Sequence, residues 1–327
     1  MKKSAYANVL EGITAVGIFT GSNGKKGCTS NCSGCFMTTY GKEKPMFQGT
    51  MEQIEELSFL LPNLKRVGIF GNPDISVDPE FCNEAAKYFQ RKGGIELGFW
   101  TSGIGGAITM EKLLKDLDPK VVAKVDFTVE TLDETKLQKL KGVKITLDKI
   151  KEGIITCQNM GFKAGVKSPI WPLNMHEDWE ALRDYFRPLG VERYTAHFGS
   201  LDCDSVFYEH VPPEEIRRIV HQDFKIGNMS PLVLLDEELD DYVNNYVPYC
   251  SKPPVIINAF LEKDGIKASS LCPSGWTSNP QILQKLSDYT GDVISKSKIC
   301  PAAERAMRYK LDKKYHAVCR FYNPWKS

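Results

Sequence analysis

The chain of 327 residues is long enough for one large α/β domain, or for such a domain and a smaller one. Its 42% hydrophobic and 25% charged residues are typical of a globular protein, and a net charge of +1 gives no indication of nucleic-acid binding. No apolar run approaches the roughly 20 residues that cross a bilayer, and the N-terminus lacks the apolar core of a signal peptide. We therefore expect a cytoplasmic protein whose ten cysteines serve metal binding or catalysis rather than disulfides.

Short β-branched or aromatic runs alternate with amphipathic stretches through the first two thirds of the chain. The runs predict strands over residues 13–20, 64–70, 95–101, 121–130, 162–170 and 191–198. The amphipathic stretches predict helices over residues 51–61, 79–92, 108–117, 145–161 and 177–190, and another after Pro213. This alternation predicts a parallel sheet wound by right-handed crossovers. Six units are too few for a closed eightfold barrel, so we expect an α/β fold with an open, partial (β/α)6 barrel.

The pattern changes beyond about residue 240. Residues 253–272 predict a β-hairpin that turns at Lys263, Asp264 and Gly265, and residues 281–291 and 301–318 predict helices. We therefore expect two domains, a barrel over residues 1–235 and a small α+β domain over residues 236–327.

Three cysteines, Cys28, Cys32 and Cys35, lie in one loop directly after the first predicted strand. In parallel α/β folds, active sites are built at this end of the strands. A closed structural zinc site takes four ligands and disulfides take cysteines in pairs, whereas three thiolates suit a cubane iron–sulfur cluster with one iron open to an outside ligand. The alternative is a zinc site completed by a distant ligand such as His197.

The spacing Cys-x3-Cys-x2-Cys resembles the signature of radical S-adenosylmethionine (SAM) enzymes. Other segments strengthen the resemblance: GNPD at 71–74 resembles the family's GGEP segment, TSG at 101–103 resembles its T-N-G turn, and TVE at 128–130 lies where many members have a polar residue facing SAM. The resemblance implies a [4Fe–4S] cluster on the three cysteines, chelated by the amino and carboxylate groups of SAM. It also implies reductive cleavage of SAM to a 5′-deoxyadenosyl radical, which abstracts a hydrogen atom from the substrate.

The resemblance also implies which residues contact SAM and what reduces the cluster. The expected SAM-binding residues are Phe36, Gly71, Asn72, Pro73, Ser102, Thr128 and Glu130. Phe36 is expected to replace the bulky residue that usually precedes the third cysteine, where this chain has Gly34, and Asn72 replaces the glutamate of GGEP. The expected electron donor is a flavodoxin or ferredoxin.

The C-terminal cysteines resemble a Twitch or SPASM auxiliary-cluster domain. Cys250 and Cys272 flank the predicted hairpin with its Gly265, and Cys300 and Cys319 follow. The resemblance implies that these four cysteines bind a second [4Fe–4S] cluster. The alternatives are a zinc ion at the same cysteines and scattered buried thiols.

The remaining cysteines receive separate interpretations. Cys82 and Cys157 fall inside predicted amphipathic helices and are expected to pack in the core. Cys203 lies just past the sixth predicted strand and is a candidate catalytic residue that donates a hydrogen atom to a substrate radical, as in radical SAM peptide epimerases. A role as a cluster ligand and an unreactive loop thiol are the alternatives for Cys203.

For substrate the resemblance favours a peptide, because Twitch and SPASM members often modify ribosomally made peptides. The alternative enzyme is a radical SAM dehydrogenase or related enzyme that acts on a sugar-like small molecule. The alternative outside enzymes is a zinc-binding interaction protein.

Overall fold

The structure is a computed structural model. It describes residues 10–20, 32, 49–71, 74–170, 173–174, 176–191, 193–198, 232–234, 256–271, 284–288 and 316–318.

Six parallel strands form the body of the main sheet. They are β1 (Ala15–Phe19), β2 (Arg66–Gly71), β3 (Glu96–Thr101), β4 (Val122–Thr128), β5 (Ala164–Ile170) and β6 (Arg193–Phe198). Each strand pairs in parallel with the next one in the sequence, and β6 forms one edge of the sheet. The sheet is open, so the predicted partial barrel is confirmed.

Helices connect these strands. They are α1 (Met51–Leu60), α2 (Pro79–Lys92), α3 (Gly106–Leu114), α4 (Glu134–Lys141), α5 (Leu147–Asn159) and α6 (Trp179–Phe186), and a 3-10 turn (Arg187–Leu189) follows the last. No helix within these described ranges is long and apolar enough to cross a membrane. The sequence patterns predicted all of these helices except α4.

Most of the helices begin at a side chain that accepts hydrogen bonds from the first turn. These N-cap residues are Thr50, Asp78, Asp133, Thr146 and Asp178. Thr50 and Gln53 form a reciprocal capping box, in which each side chain accepts from the other's backbone N–H. Asp133 before α4 and Gly142 after it, at a φ of 62°, are ordinary start and stop signals, so the sequence did contain a signal for α4.

The core lies between the sheet and the helices. Alternate strand residues such as Val16, Ile69 and Phe99 belong to one buried cluster with helix residues such as Leu57 and Phe89. Because side chains alternate along a strand, the residues between them face the inner, concave side of the sheet. The outer face of the sheet therefore forms the core with the helices, and the inner face is available for a functional site.

The predicted C-terminal hairpin is confirmed. It consists of β8 (Ile256–Glu262) and β9 (Gly265–Leu271), which pair antiparallel. The strand β8 also pairs in parallel with β1, so that Phe260 lies opposite Phe19, and Gln53 Nε2 donates to the Glu262 carbonyl at 2.8 Å. The hairpin therefore extends the barrel sheet beyond β1, and the domain division near residue 235 stays a prediction.

Two predicted C-terminal helices are wrong where the structure describes them. Within 281–291, residues Gln284–Lys285 form a short strand, β10, which pairs with β9, and Leu286–Asp288 form a 3-10 turn. Within 301–318, residues His316–Val318 form a strand, β11, which pairs antiparallel with β7 (Leu232–Leu234). In both segments, backbone pairing with another strand overrides a local helical pattern. The predicted helix after Pro213 lies outside the described residues.

Candidate functional site

The carboxyl ends of the first four strands bring four of the sequence motifs to one edge of the sheet. The end of β1 pairs next to Gly71 of β2, and β3 and β4 pair up to Thr101 and Phe127. Because neighbouring parallel strands end at the same edge, the cysteine loop, the GNPD segment, the TSG turn and the TVE segment all begin there.

Gly71 ends β2 in a turn that only glycine fits. Its φ is +74°, and a Cβ atom there would lie 2.5 Å from the backbone of Asp74 and Ile75. Its carbonyl accepts from the Thr20 backbone N–H at 3.1 Å, which ties the end of β2 to the end of β1. The turn thus fixes where the chain leaves β1 and β2, at the start of the cysteine loop and of GNPD.

Asp74 joins the loop after β2 to the loop after β3. Its side chain is buried, with 5% exposure, and accepts from Thr101 Oγ1 at 3.1 Å and from the Ser76 backbone N–H at 2.9 Å. It also accepts from the Ser102 backbone N–H. The carboxylate therefore holds the TSG turn in place against the GNPD segment.

Within the described part of the chain, the TSG turn leaves one polar atom without a partner. Thr101 Oγ1 accepts from the Gly103 N–H at 3.0 Å, and Gly103 has a φ of +78°. Ser102 Oγ is buried and has no hydrogen-bond partner in the described part of the chain. A buried hydroxyl of this kind is available to a ligand bound at this edge.

At the end of β4, Glu130 is held by a buried lysine. Lys141 of α4 has 1% side-chain exposure, and its Nζ lies 3.0 Å from Glu130 Oε2 and donates to the Thr128 carbonyl at 2.8 Å. Asn174 Nδ2 donates to the Glu130 carbonyl at 2.7 Å. The TVE segment is thus rigidly placed, and the charge of Glu130 is matched by Lys141.

Aromatic rings form a row across the inner face of four neighbouring strands. Phe260, Phe19, Phe70 and Trp100 stack in that order, with centroids 4.8, 4.7 and 4.4 Å apart. Glycines make room for the rings, because a Cβ atom at Gly68 would lie 2.5 Å from the Trp100 ring. We call these four residues the aromatic row.

Charged residues cover the inner face on the next three strands. Asp126 of β4 is fully buried; it forms an ion pair with Arg193 of β6, and lies 3.6 Å from Lys124 Nζ and 3.4 Å from Lys167 Nζ. Both lysine ammonium groups lie 4.7 Å from the centroid of the Trp100 ring. Burial, reinforced by the neighbouring cations and opposed by Asp126, lowers the pKa of Lys167 to about 8. We call Lys124, Lys167, Arg193 and Asp126 the cation cluster.

The structure describes few of the predicted ligands. Cys32 is half-buried, and the predicted SAM residues Gly71, Ser102, Thr128 and Glu130 are described. The remaining predicted site residues lie outside the described residues: Cys28, Cys35, Phe36, Asn72, Pro73, Cys203, Cys250, Cys272, Cys300 and Cys319. Among the described residues no group of histidines, cysteines and carboxylates could hold a metal ion. The predicted metal sites therefore stay predictions.

Cys82 and Cys157 are buried, as predicted. Burial raises the pKa of the Cys82 thiol, and it raises that of Cys157 to about 12. Neither thiol is therefore in the reactive thiolate form at neutral pH.

Sequence reasoning gave no role to Asp74, Lys141 or the cation cluster. Asp74 is the last residue of the recognised GNPD segment, so its position was a usable signal. The alternation Lys124, Asp126, Thr128 on a strand that is otherwise apolar was a second signal, because it places charged groups on one face.

The sheet is an open parallel barrel, and its strand ends carry a glycine turn and a turn with buried hydroxyl groups. This fold is the class of α/β enzyme fold that binds its ligands at the carboxyl ends of the strands. The family model of the radical SAM superfamily matches residues 23–186, which is half of the chain. The chain belongs to the radical SAM superfamily and is an enzyme of that superfamily. No curated protein matches its sequence.

Two solved structures share the fold over most of the chain. One is SuiB from Streptococcus suis bound to precursor peptide SuiA, with a TM-score of 0.56 and 15% identity, over 92% of this chain and 68% of SuiB. The other is anSMEcpe with bound AdoMet and Cp18Cys peptide, with a TM-score of 0.55 and 13% identity, over 96% of this chain and 92% of that chain. At these identities the likeness shows a shared fold.

The superfamily implies a [4Fe–4S] cluster and SAM, and the described residues fit SAM. The turn at Gly71 leaves no room for a side chain, because a Cβ atom would meet the backbone of Asp74 and Ile75, and it keeps the loop after β2 tightly folded at this edge. Ser102 Oγ is a buried polar atom without a partner among the described residues, and it belongs to a turn that Asp74 holds in place. Both features face the edge from which the cysteine loop leaves β1.

Proposed function

We propose that this protein is a radical SAM enzyme that modifies a peptide made by the ribosome. The observation that carries the proposal is the fold likeness over more than nine tenths of the chain to two proteins whose structures hold peptides, SuiA in SuiB and Cp18Cys in anSMEcpe. Among the described residues the sheet does not close on itself, since it runs from β10 at one edge to β6 at the other, and an extended peptide needs an opening of this kind.

The chain's own residues bind and orient the reactants. Cys28, Cys32 and Cys35 are the proposed cluster ligands, and the Gly71 turn, Ser102 and Thr128 are the proposed SAM contacts. When bound, the cluster and SAM supply a 5′-deoxyadenosyl radical that removes a hydrogen atom from the substrate. Asp74 and Lys141 position the loops that carry these contacts. Asp74 joins the loop after β2 to the end of β3, and Lys141 joins α4 to the end of β4, in each case by buried polar contacts.

We further propose that Cys250, Cys272, Cys300 and Cys319 bind a second [4Fe–4S] cluster in a Twitch-like domain over residues 236–327. The support is the confirmed hairpin, whose turn glycine is Gly265 and whose last residue, Leu271, directly precedes Cys272. Cys203 is the proposed hydrogen-atom donor to the substrate radical. The proposed setting is the cytoplasm, with a flavodoxin or ferredoxin as electron donor.

The test is anaerobic turnover with candidate substrates. Short peptides encoded beside the gene, and sugar-like small molecules as the alternative class, are each added to reconstituted enzyme with SAM and reductant. We expect a peptide to raise 5′-deoxyadenosine formation above the substrate-free rate and to change in mass. Stimulation by small molecules alone, with unmodified peptides, would contradict the peptide proposal.

A further inference from the structure

The cation cluster contains more positive than negative charge. Three cationic side chains, Lys124, Lys167 and Arg193, share the single buried carboxylate of Asp126. Glu96, at the start of β3, adds a weaker attraction to Lys124. The excess lies on the inner face of the sheet, because all four cluster residues alternate with core-facing residues on β4, β5 and β6.

The cluster is accessible and has unused donors. The side chains of Lys124, Lys167 and Arg193 are 28%, 24% and 46% exposed, so a ligand can reach their charged ends. Trp100 Nε1, whose ring both ammonium groups approach, is buried without an acceptor among the described residues. Asp126 Oδ2 is also buried without a hydrogen bond among the described residues, so its contacts with the two lysines are ion pairs. The donor groups that meet here outnumber this one carboxylate.

Stability alone does not account for this arrangement. Bringing like charges together under partial burial is costly. Among the described residues the carboxylate of Asp126 does not offset this cost for Lys167, whose pKa falls to about 8. A bound anion would supply the missing negative charge and accept the free hydrogen bonds.

The charged ends of the cluster lie just below the predicted SAM contacts. All three cations contact the Asp126 carboxylate, and Asp126 lies two residues before Thr128, which is about 7 Å along a strand. Lys167 pairs with Thr128 itself, whereas Arg193 is the first residue of β6 and pairs with Gly165, opposite Asp126. The cluster therefore extends from the level of Thr128 into the barrel, where a substrate group that passes the strand ends would reach it.

We propose that the cation cluster binds a carboxylate of the substrate, either a peptide C-terminus or an Asp or Glu side chain, and so selects acidic substrates. The proposal rests on the proposed function, since it names the substrate's chemistry at the same barrel.

The probe is N-acetyl-L-glutamate α-amide, whose one charge is its side-chain carboxylate, and its uncharged match is N-acetyl-L-glutamine α-amide. Binding of each to reconstituted holoenzyme is measured by calorimetry, with and without saturating SAM. We expect the glutamate derivative to bind about tenfold more tightly, as one charge-assisted contact provides. Lys167→Met and Arg193→Met should abolish this preference, Lys167→Arg should retain it, and Lys163→Met, an exposed lysine just before β5, should leave it unchanged.

Three results would overturn the proposal: no preference in the unaltered enzyme, a preference that survives both methionine substitutions, or loss of probe binding when SAM is added. The last would mean that the carboxylate of SAM occupies the cluster. None of these results depends on turnover, so failure of this proposal is distinct from failure of the peptide proposal, which the substrate assay detects.

Discussion

A single carboxylate, that of Asp74, organises two of the loops that the sequence motifs assign to SAM. It accepts from the hydroxyl of Thr101 and from the backbone N–H groups of Ser76 and Ser102, and almost no solvent reaches it. Buried donors that lose their acceptor each cost about 1–3 kcal/mol. The TSG turn therefore depends on Asp74 for its position, although Asp74 belongs to the loop after the neighbouring strand.

We expect Asp74→Ala to weaken SAM binding more than tenfold, because the TSG turn loses its attachment to the GNPD segment. Asp74→Asn, which keeps one acceptor oxygen, should give an intermediate loss. Equilibrium dialysis of SAM against reconstituted enzyme measures the effect. The matched control is Asp118→Ala, an exposed aspartate whose side chain accepts from one backbone N–H. Equal SAM affinity in Asp74→Ala and Asp118→Ala would contradict the role given to Asp74.

At the scale of elements, the hairpin of β8 and β9 closes the free edge of β1. Its Phe260 is 4% exposed and stacks on Phe19, and Leu286 just beyond β10 is fully buried. An uncovered β1 would expose both a strand edge and one end of the aromatic row. The hairpin is therefore part of the barrel's structure, even though it follows β6 by more than fifty residues.

Phe260→Ala should lower the free energy of unfolding by about 3 kcal/mol, because it removes a buried ring from the stack. Phe59 on α1 provides a matched control, since it is the same residue type at 81% exposure, and Phe59→Ala should change stability by less than about 0.5 kcal/mol. Denaturant unfolding of both variants measures the difference. Similar, small losses in the two variants would show that the hairpin is not packed on β1.

The local sequence pattern predicted helices and strands well where the tertiary contacts favour the same structure. The bounds of α2 were predicted exactly, because Asp78 caps it, Pro79 begins it and Gly93 follows it. The helix predicted over 281–291 fails at Gln284 and Lys285, because these residues pair with β9, a partner far away in the sequence. Pairing with a distant strand cannot be predicted from the local sequence pattern.

The candidate site was likewise predictable from the sequence only in part. The sequence identified Gly71, Ser102, Thr128 and Glu130 by resemblance, and the structure places all four at the carboxyl ends of β2, β3 and β4. It did not reveal that Lys141 pairs with Glu130, nor that Lys124, Lys167 and Arg193 share Asp126, because these contacts join separate elements. Residue types and spacing identify the chemistry, whereas the three-dimensional pairing supplies the charge environment.

At the scale of the whole molecule, the fold, the strand-end loops and the family assignment lead to one central claim: Cys28, Cys32 and Cys35 hold the cluster with which this enzyme cleaves SAM. A second cluster on the C-terminal cysteines would be independent of that loop, so iron should remain in a chain that lacks these three thiols. Iron and sulfide content of that variant also shows that the protein is still folded and reconstituted.

The most direct test is 5′-deoxyadenosine formation from SAM under anaerobic, reducing conditions, in the unaltered enzyme and in the variant with alanine at Cys28, Cys32 and Cys35. We predict formation by the unaltered enzyme and none by the variant, even where the variant still binds the iron of the proposed second cluster. Cleavage of SAM by the variant at the unaltered rate, or no cleavage by the fully reconstituted enzyme, would contradict the claim.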